Sequence, residues 1–453
     1  MPAPLPPPPS PALKGASASA AALLALALCA PGTAAADTTT DPLEGNRGFL
    51  VVVEGDATLA GNESEGPVAI GGDLSFGAYN VAAHTPGSYV APGDEHPSAL
   101  VVNGSVDLGS SSGDLKVLQS GLVKVGEPGG SEISTTDANG AEVATVIAAP
   151  GAREAAPRIS LTTRQSRDSV VVEAFDVAAL FPAHRQRSAG MAACDTTVEP
   201  LRTGGGGAAA PPFGSGANVT LPLEEGANVW NVDARDLADL EVITFEDAPS
   251  AQAPLLVNVD TSGVDGDFAW HTPNMAGIGL AQARHILFNF PGASAVTFTE
   301  DSRTLEGTVY APDARVRWLS PSNIEGAVVA ASFEHGSPEE GITGNGELHN
   351  GDFRGELPLC GGGGEEPGTP EGPEPTPGTE EPGEPEQEPT PGGEPEEESP
   401  ASEAPDAESP APVDASEGAL PVTGANVALL VAGALAAVAA GTAAVVAARR
   451  RRA

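Results

Sequence analysis

Short apolar runs rich in Val, Ile and Leu, bounded by Gly, Pro, Asn or Asp, dominate the chain between Asn46 and Cys360. GFLVVVEG, GPVAIGGDLSF, SALVVNGSVDL, SGLVKVG, PLLVNVD, HILFNF, SAVTFTE, GTVYAPDARVRW and EGAVVAASF all have this form. Runs of this length and composition read as strands, so the pattern predicts a mainly β head. Helix has one good candidate, from Val172 to Ala193. There Phe175, Val177, Ala178, Leu180, Phe181, Met191 and Ala192 could share a face, although Pro182 and Gly190 interrupt it.

A phrase recurs among the strands. EGPV at Glu65 returns as EGTV at Glu306 and EGAVV at Glu325, and GNGELHNG continues the series at Gly346. Gly307, Gly326 and Gly346 stand about 19 to 20 residues apart, which suits one coil of a β-solenoid with glycine at the corner between faces. A β-sandwich also shows many short strands with Gly-rich turns and is the competing architecture. The recurring glycine phrase favours the solenoid.

The chain ends differently. Residues 361–419 are Pro, Glu, Gly, Thr and Ser with about eighteen acids and no base, a composition that cannot bury a core and reads as a disordered stalk. Extended as polyproline, its length would reach up to roughly 180 Å. After it come Leu420, Pro421, Val422, Thr423 and Gly424, then an uncharged apolar run, 425–448, then Arg449, Arg450, Arg451 and Arg452 in the tail 449–453. A helix over that run would be about 36 Å long, enough to span a bilayer once, and the arginines place the tail in the cytoplasm and the body outside. At the other end, residues 1–36 read as a signal peptide cleaved between Ala36 and Asp37, which would also remove Cys29.

The formal net charge of −41 changes this picture little, because about eighteen of the negative charges belong to the stalk. The exported part keeps only two lysines, Lys116 and Lys124, and has no basic patch with interleaved aromatics, so nucleic acid is excluded as a partner. Two cysteines, Cys194 and Cys360, remain for an oxidising compartment. A disulfide between them is the favoured reading, with two buried thiols as the alternative.

Two resemblances join these observations. LPVTG with the apolar run and the arginines resembles the LPXTG sorting signal of Gram-positive surface proteins. The resemblance implies a sortase as partner, cleavage between Thr423 and Gly424, and covalent transfer of Thr423 to peptidoglycan through a thioester on the sortase, with the membrane only as a sorting intermediate. GPVAIGGDLSFGAYNVA (66–82) and the stretch from His285 to Pro358 are similar to the choice-of-anchor A domain, an ice-binding-like adhesive domain of bacterial surface proteins. The motif residues are Gly66, Ala69, Ile70, Gly71 and Gly72 at the opening. At the close they are Asn289 to Ala293, Gly307 to Ala314, Ile324 to Ala330 and Gly346 to Gly355. This resemblance implies one domain across 46–360, a β-solenoid with a helix lying along it, and an unidentified surface or matrix ligand.

Candidate chemistry is sparse. Asp260, Asp265 and Asp267 in NVDTSGVDGD could hold calcium weakly, but their spacing is not that of a known loop and solvated turn acids are the favoured reading. His349 in GELHNGDF reads as a structural turn residue. VTFTE (Val296 to Glu300) only hints at the Thr array that ice binding would need. An isopeptide from Lys116 or Lys124 to an Asn or Asp is chemically open, though lysine is scarce. The acids look scattered at turns, with no catalytic cluster, no metal set and no cofactor motif. The expectation is a sortase-anchored adhesin or display module; a structural wall protein and a polysaccharide-active enzyme follow in that order.

Overall fold

The computed structural model describes residues 38–361 apart from 345. The signal segment with its Ala36–Asp37 junction, the stalk beyond 361, the LPVTG pentapeptide, the apolar run and the terminal arginines lie outside the described residues. Among the described residues no helix is long and apolar enough to cross a membrane.

The described residues are mainly β, with few helices. Nine parallel strands form the longest ladder: β1 Val51–Val53, β2 Val68–Ile70, β3 Ser98–Ser105, β4 Leu122–Glu127, β5 Asn228–Asp233, β6 Leu255–Asp260, β7 Ile286–Asn289, β8 Thr308–Trp318 and β9 Val328–His335. They lie in the order β5-β6-β7-β8-β9-β1-β2-β3-β4. The last strand therefore pairs with the first, Val328 opposite Val51. The chain starts in the middle of the stack, builds one half, crosses back, and builds the other half towards its own beginning.

Two further ladders run alongside. The second takes Asp267–Trp270, Ala295–Phe298, the ends of β8 and β9, Ala57–Leu59 and Leu74–Phe76. The third passes through Leu305, Ile324, Leu348, Ser64, Val81, Val117 and Leu161. These ladders are parallel, whereas the two sheets of a sandwich are antiparallel. Side chains pointing inward from all three make the main core, including Trp270, Phe288, Phe298 and Trp318 in ring contact.

Repeat length varies, which corrects the single 19-to-20-residue period. Thr58 and Ser75, on adjacent rungs, are 17 residues apart, and Thr308 and Ala327, likewise on adjacent turns, are 19 apart. Gly66, Gly307 and Gly326 share a corner because each stands two residues before Val68, Val309 or Val328, which occupy equivalent rungs. A Cβ on Gly326 would lie 2.2 Å from the Gly307 carbonyl oxygen, so only glycine lets these turns stack. Gly346 is not part of that series: it precedes Glu347–Leu348 in the third ladder.

The expected helix is shorter at its start, Phe181–Ala192 rather than from Val172. Upstream, the Asn103 amide bonds the Phe175 carbonyl at 2.8 Å and Val177 N at 2.9 Å, so those backbone groups are satisfied outside a helix. Pro182 lies in the first turn, where its missing N–H costs nothing, and so opens the helix. Gly190 lets the strand Leu357–Leu359 approach, since a Cβ there would meet Leu359 Cδ2 at 3.0 Å.

This helix covers the outer side of the nine-strand ladder. Phe181 and Met191 pack on a row that includes Val52, Ala69, Val101, Tyr310 and Val329. Towards its C-terminus the contact turns polar: Asn231, Asn258 and Asn289 occupy successive rungs. Asn289 donates to Asn258 and Asn258 to Asn231, each at 2.9 Å, while the same side chains donate to the carbonyls of Ser188, Met191 and Cys194. The asparagine ladder thereby bonds the sheet to the helix end.

Candidate functional site

The two ends of the described chain meet. Thr38–Thr40 pairs antiparallel with Leu357–Leu359, and the structure joins Cys360 to Cys194, just past the helix, as a disulfide with Cα atoms 4.9 Å apart. Beside this junction an open groove of about 670 Å³ is lined by Thr39, Asp41, Gln252, Phe353, Arg354 and Glu356, among others. Thr39 Oγ1 donates to Glu356 Oε2 at 2.7 Å, which fixes one carboxylate, and Asp41 Oδ1 accepts from Leu43 N at 2.9 Å, which fixes the other. Arg354 and Gln252 remain exposed as donors. Such a wall of acceptors and donors can bind hydroxyl or amide groups. Sequence reading missed the groove because positions 39, 252 and 354 share no local pattern; only the fold assembles them.

A second grouping was also missed. Leu305, Ile324, Leu348 and Ser64 are consecutive rungs, so the residues after them, Glu306, Glu325, His349 and Glu65, rank along one corner. His349 Nδ1 lies 2.9 Å from Glu325, and Nε2 lies 2.9 Å from Glu347. Burial opposes its charge, but hydrogen bonds to Glu347 and Glu325 outweigh burial and hold its pKa above the ordinary value. Burial pushes the Glu306 carboxyl up to about 8, helped by the negative charge of Glu325. Glu65 accepts from Asn350 N at 2.8 Å. His349, directly after the strand Glu347–Leu348, thus bridges the carboxylates of Glu325 and Glu347 along this corner. The signal was the Glu of the EG phrase, which marks a fixed corner; the expectation that the acids are scattered is corrected here.

The remaining candidates disperse. Asp260 accepts from Ser262 N, Asp265 has a left-handed φ of 56°, and Asp267 is exposed. Among the described residues no group of three or more His, Cys, Asp or Glu is placed to hold a metal. Thr297 stands between Ala269 and Arg317 on its ladder, so no regular Thr array extends from it. Lys116 is exposed, whereas Lys124 is buried.

Residues 42–350 match the family described as "Putative Ice-binding-like adhesive domain". The match spans well over half of the chain, and the chain belongs to that family. Among solved structures it is similar to the Shewanella frigidimarina ice-binding protein_1 DUF3494 domain, with 11% identity and a TM-score of 0.30, over 71% of this chain and 99% of that one. No curated protein matches. An adhesive domain of this kind points to a surface protein with an extracellular, non-enzymatic role.

Proposed function

We propose that the chain is an exported adhesin whose head, a β-solenoid with one accompanying helix, is displayed from the cell wall through LPVTG. The observation that carries the adhesive part is the family match across residues 42–350. Three parallel ladders with a shared corner glycine support the solenoid. The sorting signal, stalk and signal peptide rest on their sequence patterns, which together support sortase transfer of Thr423 to peptidoglycan. Within the head, the groove beside Cys360 is the site we assign to ligand, and its polar lining favours a glycan or another hydroxyl-rich polymer. A catalytic reading would draw on Glu306, Glu325 and His349, but His349 is bonded on both ring nitrogens to neighbouring carboxylates. The test is a glycan and matrix array probed with the purified head, each hit checked for products by mass spectrometry. Saturable binding without product supports the adhesin; product release would make it an enzyme, and silence on every surface would leave a structural wall protein.

A further inference from the structure

The row beneath the helix ends on a buried lysine. Lys124, on β4, pairs with Val101 and is 1% exposed. Its Nζ donates to the Ser169 carbonyl at 2.7 Å and to Ser169 Oγ at 3.1 Å, and it lies against Oδ2 of Asp94, whose side chain is 8% exposed. That oxygen is buried and in no hydrogen bond, so the ammonium touches it without hydrogen-bond alignment. The other oxygen, Oδ1, accepts from Ser169 Oγ at 2.8 Å, and Gln165 Nε2 donates to the same hydroxyl at 3.0 Å. Ser169 is thus held between the two reacting groups, itself kept in place at an α-turn by Ser166 Oγ, which accepts from its N–H at 3.2 Å.

The geometry points to Lys124 and Asp94 as the site of an intramolecular amide cross-link. A proton first passes from the Nζ ammonium to the Oδ2 that it touches, and the neutral amine then attacks Cγ of the protonated Asp94 carboxyl; the N–C bond forms and the C–Oδ2 bond breaks. Two of the three ammonium protons leave with Oδ2 as water, the third stays on the amide nitrogen, and no oxidant or other reactant is consumed. Three features favour the step. The groups are already in contact, which removes the entropy of bringing them together. Burial makes a fixed ion pair costly relative to a neutral amide. The Ser169 hydroxyl donates to Oδ1, where negative charge develops in the tetrahedral intermediate. The bond would tie the loop carrying Asp94 to the terminal strand of the nine-strand ladder, which among the described residues meets only the isolated parallel bridge Val125–Val171 on its outer edge. The sequence argued against this chemistry because lysine is scarce; the structure shows that one of the two lysines stands where it is needed.

The test is the intact mass of the full exported chain after reduction of the disulfide, with tandem mass spectrometry of its tryptic peptides. The expected main species is lighter than the sequence mass by one water. It should yield a branched peptide joining the segments around Asp94 and Lys124, with trypsin failing to cut after Lys124. Lys124→Arg, which keeps the charge, should restore the full mass. If wild-type protein has the unlinked mass and is cut after Lys124, the pair is a plain salt bridge and the inference fails, whether or not the variant folds.

Discussion

Replacing Cys194 and Cys360 together by alanine removes the bond that closes most of the second half of the head. The two residues are 166 apart in sequence, and chain entropy for a loop of that length corresponds to about 5 kcal/mol at 25 °C. Engineered and native bridges often deliver less, so a loss of at least about 2 kcal/mol is expected. The folded partners are in place to express it: Cys194 is 3% exposed, it follows the helix that rests on the asparagine ladder, and Cys360 follows a strand paired to Thr38–Thr40. Guanidinium unfolding of the oxidised head and of the double variant, followed by tryptophan fluorescence, measures the difference. Trp230, Trp270 and Trp318 are all buried and all lie between the two cysteines, so the signal reports on the enclosed half. A lower midpoint, with a slope that rises as the released unfolded chain expands, fits the argument. Equal midpoints would refute it, because the unfolded chain would then gain nothing from being released.

Asn258→Ala should destabilise the head by about 2–4 kcal/mol, since it strips buried donors from Met191 O and Asn231 Oδ1 and an acceptor from Asn289; thermal unfolding checks this. Burial holds the His184 pKa near 3, so the folded state keeps this ring neutral while the unfolded chain protonates it at its ordinary value near 6.5. Stability should therefore fall as pH drops from about 6.5 towards 3, and His184→Gln should flatten that acid limb in denaturant titrations at several pH values. Glu306 acts with the opposite sign: its raised folded pKa gives stability that is complete below the ordinary 4.5 and is lost as pH rises from there through about 8, and Glu306→Gln should remove that loss. Thr423→Ala should shift the protein from the wall fraction to membrane or medium, read by cell fractionation; unchanged wall attachment would end the sorting proposal.

Strand segments were legible because their period and bounding residues are local, and the EG phrase marked a true corner at Gly66, Gly307 and Gly326. What stayed hidden is non-local. Nothing in Val51 or Val328 records that the last strand closes on the first, since each run needs only some neighbour of matching width. The helix start was misplaced because a side chain far along the chain, Asn103, captures the backbone that periodicity assigned to a helix. Its buried face also contains His184 and Ser188, polar residues that an apolar stripe does not count. His184 pairs through Nδ1 with the Tyr310 hydroxyl at 2.9 Å while its Nε2 is buried in no hydrogen bond, and Ser188 donates to Asn289 at 2.6 Å. The groove and the ionisable corner are assembled by stacking, so their members looked like unrelated turn residues.

On the proposed function, the head holds a ligand in its groove without transforming it. We would run wild-type head and the triple variant Gln252→Ala, Arg354→Ala, Glu356→Ala side by side on the same glycan and matrix array, with product analysis. These three side chains are exposed, so the variant should fold as wild type does by circular dichroism. Saturable wild-type binding that falls at least tenfold in the variant, with no product from either, is the expected result. Equal binding by both proteins, or release of a cleaved product, would contradict it.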